Sequence, residues 1–518
     1  MSLRRAGWAI AATGLMLAAA GCSDDAEPRG DAHAGGSLVV AEATAPGSLD
    51  PALVTTPAAR RAAWLAYTSP LTYRRVEGED GTDLTPALAE ELPESLDDGR
   101  SYSFRLRPGL RYSNGRVLRA SDFERAVARS LRLSPHGRAL WGDVVGARAY
   151  ADGKGTSTDI RGIAVDDRTG RVRIELENPD RLFPYALASL AAAPVPRGTP
   201  LRDLSEDPPP GIGPYRVAQV RRGGDVVLER RRDWSLPGIP AGNAQEIVTR
   251  TIPDQAARVD AVIDGRADLV EGESPLRRLA DIRSRYKDRY AEYPTLRTLY
   301  VTIDASRQPF RNGDVRRALS YALDARVLAQ LHDGFMQPAC NMLPPEVPGH
   351  RTLDPCPYGA RDGDADLVEA SRLVEEAGAT GAAVRVADGE DPRGRRLARY
   401  LATTLRKVGL AARVVPVGAD AQVAFAASEP ELPHPGGYLA GIDDPVLAAR
   451  VDLLEQEADA DDAEQEWAAV DEDVVERAYR APYGVSTAGV LASKRLDMQR
   501  CARFHPVVGM DYSSVCLR

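Results

Sequence analysis

Apolar residues along this chain repeat in two periods that alternate along its length. In SYSFRLRPGLRYSNGRVL (Ser101 to Leu118), Tyr102, Phe104 and Leu106 alternate with polar neighbours, as a half-buried strand requires. Asn114-Gly115 predicts a tight two-residue turn, because both residue types tolerate positive φ. Ser121, with Glu124 three residues on, predicts a capping box opening a helix through Ala128. SLVVAEA (Ser37 to Ala43), RVRIELE (Arg171 to Glu177), DVVLERR (Asp225 to Arg231) and LAARVVPV after Gly409 are further strand candidates. Between them lie helical patterns. In RNGDVRRALSYALD, Val315, Ala318, Leu319, Ala322 and Leu323 share one face, and Ala398 to Val408 predicts another helix. The acidic run Glu455 to Arg477 places Trp467, Val470 and Val474 on one side, with its charges on a solvated face. Alternating strands and helices predict a mixed α/β protein.

The first apolar run is different. Arg4 and Arg5 precede an uncharged stretch from Ala6 to Gly21, which ends at Cys22 and turns acidic. It is shorter than the roughly 20 apolar residues of a bilayer-spanning helix. A basic start, a short apolar middle and small residues before a break predict a signal peptide over residues 1–21. Ala19-Ala20-Gly21-Cys22 resembles the bacterial lipobox, which implies lipidation of Cys22, with Ala19 where leucine is usual. The alternative is an incidental cysteine and a released protein. Residues 22–36, polar and glycine-containing, predict a flexible tether between a membrane anchor and the folded body.

About 500 residues then remain, enough for two or three domains. A formal charge of −9 does not favour nucleic acid, which needs a basic face, so no nucleic-acid partner is expected. Cys340, Cys356, Cys501 and Cys516 form two close pairs, an even count that suits an oxidising compartment. The local pairing, Cys340–Cys356 with Cys501–Cys516, is the simplest of the possible connectivities. Each bridge would close a loop of about 15 residues, worth roughly 3 kcal/mol on a chain-entropy argument. Zinc is the rival reading, but no CxxC occurs and the six histidines are scattered. No metal is expected.

Catalytic signatures are missing. There is no GxSxG, HExxH or GxxxxGK[ST]; in Asp152-Gly153-Lys154-Gly155-Thr156, Gly155 stands where a hydroxyl residue should follow the lysine. Gly211-Ile212-Gly213 is only a fragment of a dinucleotide fingerprint, with Arg216 in place of the last glycine. The chain is expected to be no enzyme and to need no cofactor.

Several blocks together resemble one family, the solute-binding proteins of ABC importers for oligopeptides, nickel and related solutes (solute-binding family 5). They are GSLVVAEATAPGSLDPA with its turn at Ser48 to Pro51, SYSFRLRPGLRYSNGRVLRASDFERAV, and Gly211-Ile212-Gly213-Pro214-Tyr215 followed by Asp233-Trp234. IPDQAARVDAVIDGRADL, PFRNGDVRRALSYALDA and LPPEVPG (Leu343 to Gly349) follow, in family order.

The resemblance implies a periplasmic-binding-protein-like type II fold, two lobes joined by hinge crossings with an extra subdomain. Lobe I would comprise 37–57, 200–296 and 486–518; the subdomain, 58–199, would rest on it; lobe II would be 297–485. Crossings near Arg297 and Ser486 would form the hinge. The implied function is a lipid-anchored monomer that captures a peptide or other small solute by lobe closure and delivers it to ABC permease subunits. It would sit on the extracytoplasmic face of the cell membrane. Thr55 and Thr56 match a cleft-lining loop, and Tyr483 lies beside the second crossing. In AASEPELPHPGGYL (Ala426 to Leu439), Glu431 falls where many relatives place an aspartate that meets a peptide's ammonium; the family's tryptophan is missing. Glu431 is therefore read either as an ammonium partner or as a solvent-exposed loop acid, and His434 as a surface residue. A divergent, non-peptide or sensory lipoprotein of the same fold is the competing reading.

Overall fold

The computed structural model describes residues 35–153, 159–221, 224–272, 276–358, 364–456 and 460–518. The expected leader, Cys22, most of the tether and positions 154–156 lie outside the described residues. Among the described residues, no helix is long and apolar enough to cross a membrane.

An eleven-stranded sheet organises the molecule. Its strands are β1 (Ser37–Glu42), β2 (Tyr215–Val220), β3 (Val226–Arg230), β4 (Glu246–Thr251), β5 (Leu269–Gly272), β6 (Tyr290–Ile303), β7 (Met336–Pro338), β8 (Ala383–Ala387), β9 (Ala411–Val415), β10 (Val423–Ser428) and β11 (Arg480–Ala492). The order is β9-β8-β10-β6-β11-β5-β1-β4-β3-β2, with β7 pairing β11 off this path. β1 runs parallel to both β4 and β5, and β8 runs parallel to β9 and β10. Two strands are long. β6 has 14 residues and β11 has 13, more than twice the usual strand of about 5–6. They pair antiparallel along Tyr290–Pro294 with Thr487–Leu491, then again along Thr298–Thr302 with Arg480–Val485 after an irregularity. The first segment adjoins β5 and the second adjoins β10, so both strands run through the two halves of the sheet.

Each half has its own core. Leu38, Val40, Tyr215, Leu228, Ile247 and Leu269 pack on one side of the long strands; Val301, Leu319, Val384, Val386 and Leu401 pack on the other. The helix Gly313–Tyr321 buries Val315, Ala318 and Leu319, the face its spacing predicts, and Asn312 caps it. Burying Val315 or Leu319 contributes about 1.5–3 kcal/mol each, and the single methyl of Ala318 less. A smaller antiparallel sheet, ordered Glu94–Leu96, Ser101–Arg105, Arg171–Glu175, Ile163–Asp166, packs on the helix Ala120–Leu133. Tyr102 and Phe104 are buried as their alternation predicts, and Phe104, Phe123, Trp141 and Phe183 form a chain of edge-on rings.

Two local expectations are corrected. Ser121 does not cap the helix: Arg119 takes the capping position, and the Asp122 carboxylate accepts its backbone N–H. Ser121 instead donates its N–H and its hydroxyl to Asp167, so a tertiary partner outcompetes the local cap. At the turn only Gly115 adopts positive φ, while the Asn114 side chain accepts the N–H of Arg116. Disulfides join Cys340 to Cys356 and Cys501 to Cys516.

Candidate functional site

The loop after β1 ends at Thr56, which begins the helix Pro57–Ala66. A β-branched hydroxyl residue before proline suits a helix cap, since the preceding position is held extended. The Thr56 hydroxyl accepts the N–H of Ala59 at 3.1 Å and donates to the Pro46 carbonyl at 2.6 Å. Its polar atom is thus committed to shaping the loop. Thr55 is exposed beside it.

One turn on, Arg60 is exposed and Arg61 points inward. Arg61 meets Glu42 at 2.9 Å and Glu271 at 3.4 Å, the acids near the ends of parallel strands β1 and β5. The Tyr512 hydroxyl donates to Glu42 at 2.9 Å. Burial pushes the Glu271 carboxyl up, against the pull of Arg61. Burial would by itself lower Arg61, but Glu271, Tyr512 and Glu42 hold it well above its usual range. One guanidinium shared by two buried acids ties the loop's helix to the sheet.

Glu431 lies between β10 and the short helix Pro435–Leu439. Its carboxylate meets Nε2 of His136 at 3.1 Å, with side-chain exposures of 55% and 31%. His136 belongs to the helix Pro135–Trp141 beside the small sheet, so this contact joins that subdomain to the far half of the large sheet. The hydrogen bond to Glu431 raises His136 above its ordinary value and lowers Glu431 below its own. The charge of Arg60, on the helix that starts at Thr56, adds a smaller lowering effect on both groups.

His434, expected at the surface, is packed instead. Its Nδ1 accepts the Gly436 N–H at 3.2 Å, capping Pro435–Leu439. The ring stands edge-on to Tyr185 at 5.9 Å and to Trp467 at 5.5 Å, and burial pushes its pKa down to about 4. Tyr185 belongs to the subdomain and Trp467 to the acidic helix, so His434 sits in a second contact of the same seam.

Tyr483 is not brought to this seam. It is 5% exposed in the core beyond β6, its hydroxyl 3.1 Å from Nε2 of His332 and its ring edge-on to Phe425. Sequence reasoning missed His136, Arg60 and the Glu42–Arg61–Glu271 network. A lone histidine in PHGRALW carries no spacing signal, and the acids are separated by 229 residues of chain. Among the described residues, no three His, Cys, Asp or Glu side chains are arranged to hold a metal ion.

Comparison with known proteins places this geometry. A solved structure of clavulanic acid biosynthesis oligopeptide binding protein 2 superposes with a TM-score of 0.80 at 23% identity, covering 94% of this chain and 96% of that one. That likeness shows the fold, a two-lobed α/β architecture of the type II periplasmic binding proteins. The glutathione-binding protein GsiB of Escherichia coli O1:K1 is 25% identical over 309 residues, 58% of this chain and 55% of its own length. The probable deoxycholate-binding periplasmic protein YgiS of Escherichia coli K12 is 29% identical over 313 residues, 59% of this chain and 56% of its own length. The chain thus spans about half the length of the curated relatives it matches. Residues 83–433, well over half of the sequence, match the family described as "Bacterial extracellular solute-binding proteins, family 5 Middle". The chain belongs to the bacterial extracellular solute-binding proteins of family 5.

Proposed function

We propose that this protein captures a small, peptide-like solute between two lobes and delivers it to the permease of an ABC importer. The observation that carries this reading is mechanical. The lobes share two long strands, β6 and β11, while their far rims meet through Glu431–His136 and His434–Tyr185. Shared strands permit bending without separation, and the irregularity between Pro294 and Thr298 supplies a place to bend. The rim contacts are worth roughly 1–2 kcal/mol together, with the half-exposed ion pair at the low end. A ligand with a modest preference for the closed form therefore decides the equilibrium.

The domain limits follow this reading: lobe I from 37–57, 200–296 and 486–518, lobe II from 297–485, and a subdomain at 58–199 that rests on the first and touches the second. Thr55 and Thr56 line the cleft, the latter through its loop more than its hydroxyl. Cys22 carries a lipid that holds a monomer at the extracytoplasmic face; the lipobox-like Ala19 to Cys22 and the polar stretch after it support this. The protein performs no covalent chemistry.

Native mass spectra of the folded body, before and after mild denaturation and refolding, test the reading. A peptide mass excess that vanishes on refolding is expected. A body that carries no peptide and gains no thermal stability from a peptide mixture contradicts it, because a native-state binder must stabilise by mass action. A second reading, an amine-free apolar solute, is favoured by the pairing of Glu431 within the protein and by the relative described as deoxycholate-binding. Stabilisation by deoxycholate and not by peptides selects it.

A further inference from the structure

Arg61 and Arg129 each meet an acid directly. Arg75, just after the strand Leu71–Tyr73, does not: its Nη1 stands 3.9 Å from Asp511, beyond hydrogen-bond reach. The guanidinium lies over the Trp64 ring, 3.9 Å from its centroid, and Nη2 donates to the Trp64 carbonyl at 3.3 Å. Burial lowers Arg75 to about 10; Asp511 pulls the other way, and Arg503 adds to the lowering. A cavity of about 10 Å³, room for one water-sized sphere, opens beside it. Trp64, Thr68 and Arg75 line this space with Leu71, Ala188 and Leu190, and no carboxylate does. The three polar side chains are 6%, 4% and 6% exposed. Among the described residues, Trp64 Nε1, Thr68 Oγ1, Arg75 Nε and Arg75 Nη1 have no hydrogen-bond partner.

We propose that this cavity is a binding site for one monatomic anion, chloride by size and charge, held by Trp64, Thr68 and Arg75. Indole and guanidinium N–H groups only donate, and the Thr68 hydroxyl can donate too. A guest that accepts from all four atoms and needs no acceptor in return is an anion. A water brings two hydrogens that neither Trp64 nor Arg75 can take. Charge points the same way. Arg75 and Arg503 outnumber Asp511 here, and His505, its ring 5.5 Å from that of Trp64, is kept uncharged by burial. The volume excludes phosphate, sulfate and carboxylates. The long Nη2 bond leaves the guanidinium room to shift for an ion slightly larger than water, and a charge-assisted bond is stronger than a neutral one. The Arg75 carbonyl accepts from Arg503 at 2.6 Å, so the anion braces the root of the subdomain against the C-terminal stretch of lobe I. This role is independent of which solute the cleft takes.

Thermal unfolding tests this, with sodium chloride replacing sodium gluconate at constant ionic strength, because gluconate is too large to enter. The wild type's melting temperature is expected to rise with chloride, following the logarithmic dependence of a native-state binder. Thr68→Val keeps the shape and removes one donor; it is expected to raise the chloride needed for a given rise roughly threefold to tenfold. Arg75→Met is expected to abolish the response. A melting temperature indifferent to chloride makes the guest a water and overturns the proposal. A response that Thr68→Val leaves unchanged belongs to another site and overturns it too. Should Arg75→Met fail to fold, anomalous scattering from chlorine in crystals of the wild type decides. A peak within reach of Trp64, Thr68 and Arg75 supports the site, and a cavity without one contradicts it.

Discussion

Among the ion pairs that join the subdomain to the rest of the molecule, two begin seven residues apart, at Arg129 and His136, and they are built in opposite ways. Arg129, on the helix Ala120–Leu133, reaches Asp50 of the loop after β1, and both side chains are almost wholly buried. Asp50 also accepts the N–H groups of Ala52 and Leu204, and Arg129 donates to the carbonyl of Arg202. His136, one short helix later, meets Glu431 in the opposite lobe with both partners partly in water. A buried pair is costly to break even though Arg129 Nε lacks a hydrogen-bond partner, because either partner alone is left as an uncompensated charge. A half-exposed pair is resolvated when it parts, at a cost of about 1 kcal/mol or less. One joint is permanent and the other reversible.

The largest way to break this contrast is to remove one side of the permanent joint. Arg129→Met leaves Asp50 buried without a cation and is expected to cost about 3–5 kcal/mol in urea denaturation. Adding Asp50→Asn should return much of that loss, since the penalty lies in the unpaired charge more than in the lost contact. The disulfides come next. Replacing Cys340 and Cys356 together by serine should cost roughly 3 kcal/mol, read as a melting temperature below that of the oxidised wild type and above that of the reduced wild type, in which Cys501–Cys516 is open as well. Smaller still is the pH response of the reversible joint. His136 is raised from 6.5, so its contribution is complete below that value and disappears as pH rises through its higher closed-state midpoint. Glu431 is lowered from 4.5, so its contribution is complete above that value and lost as pH falls through its lower midpoint. His434, pushed from 6.5 to about 4 by burial, opposes closure progressively below 6.5. Closure should therefore be firmest near pH 6.5, weakening by up to about 1 kcal/mol towards pH 8. In Glu431→Gln, the alkaline weakening should flatten, as followed by small-angle scattering.

The elements of this fold were legible because local patterns and final packing agree. Val315, Ala318 and Leu319 repeat with helical spacing and are all buried; Trp467, Val470 and Val474 behave likewise. The two disulfides follow from spacing, since each joins cysteines close in sequence. The start of Ala120–Leu133 was misplaced because Asp167, 46 residues away, captures Ser121, and no local rule anticipates a partner at that distance. The site was harder to read for the same reason. Glu431 was singled out by alignment with the family, but its partner His136 lies 295 positions earlier in an unremarkable helix. His434 looked exposed because a Pro-His-Pro stretch reads as a surface turn; Tyr185 and Trp467 close over it only in three dimensions. Tyr483 was selected for standing beside the second crossing, yet in a strand neighbouring residues face opposite sides, and its own side carries it into the lobe core.

The central claim, that the lobes close on a captured solute about β6 and β11, is tested most directly by a distance. Fluorophores introduced at Leu92 of the subdomain and Val368 of lobe II, both well exposed, report it without touching the cysteines. Energy transfer would be measured on the folded body freed of carried solute, then with a peptide digest that raises its melting temperature. The expected result is a shorter distance with the digest, and a smaller shortening at pH 8 than at pH 6.5. A distance that stays constant while the digest stabilises the protein would contradict closure as the means of capture.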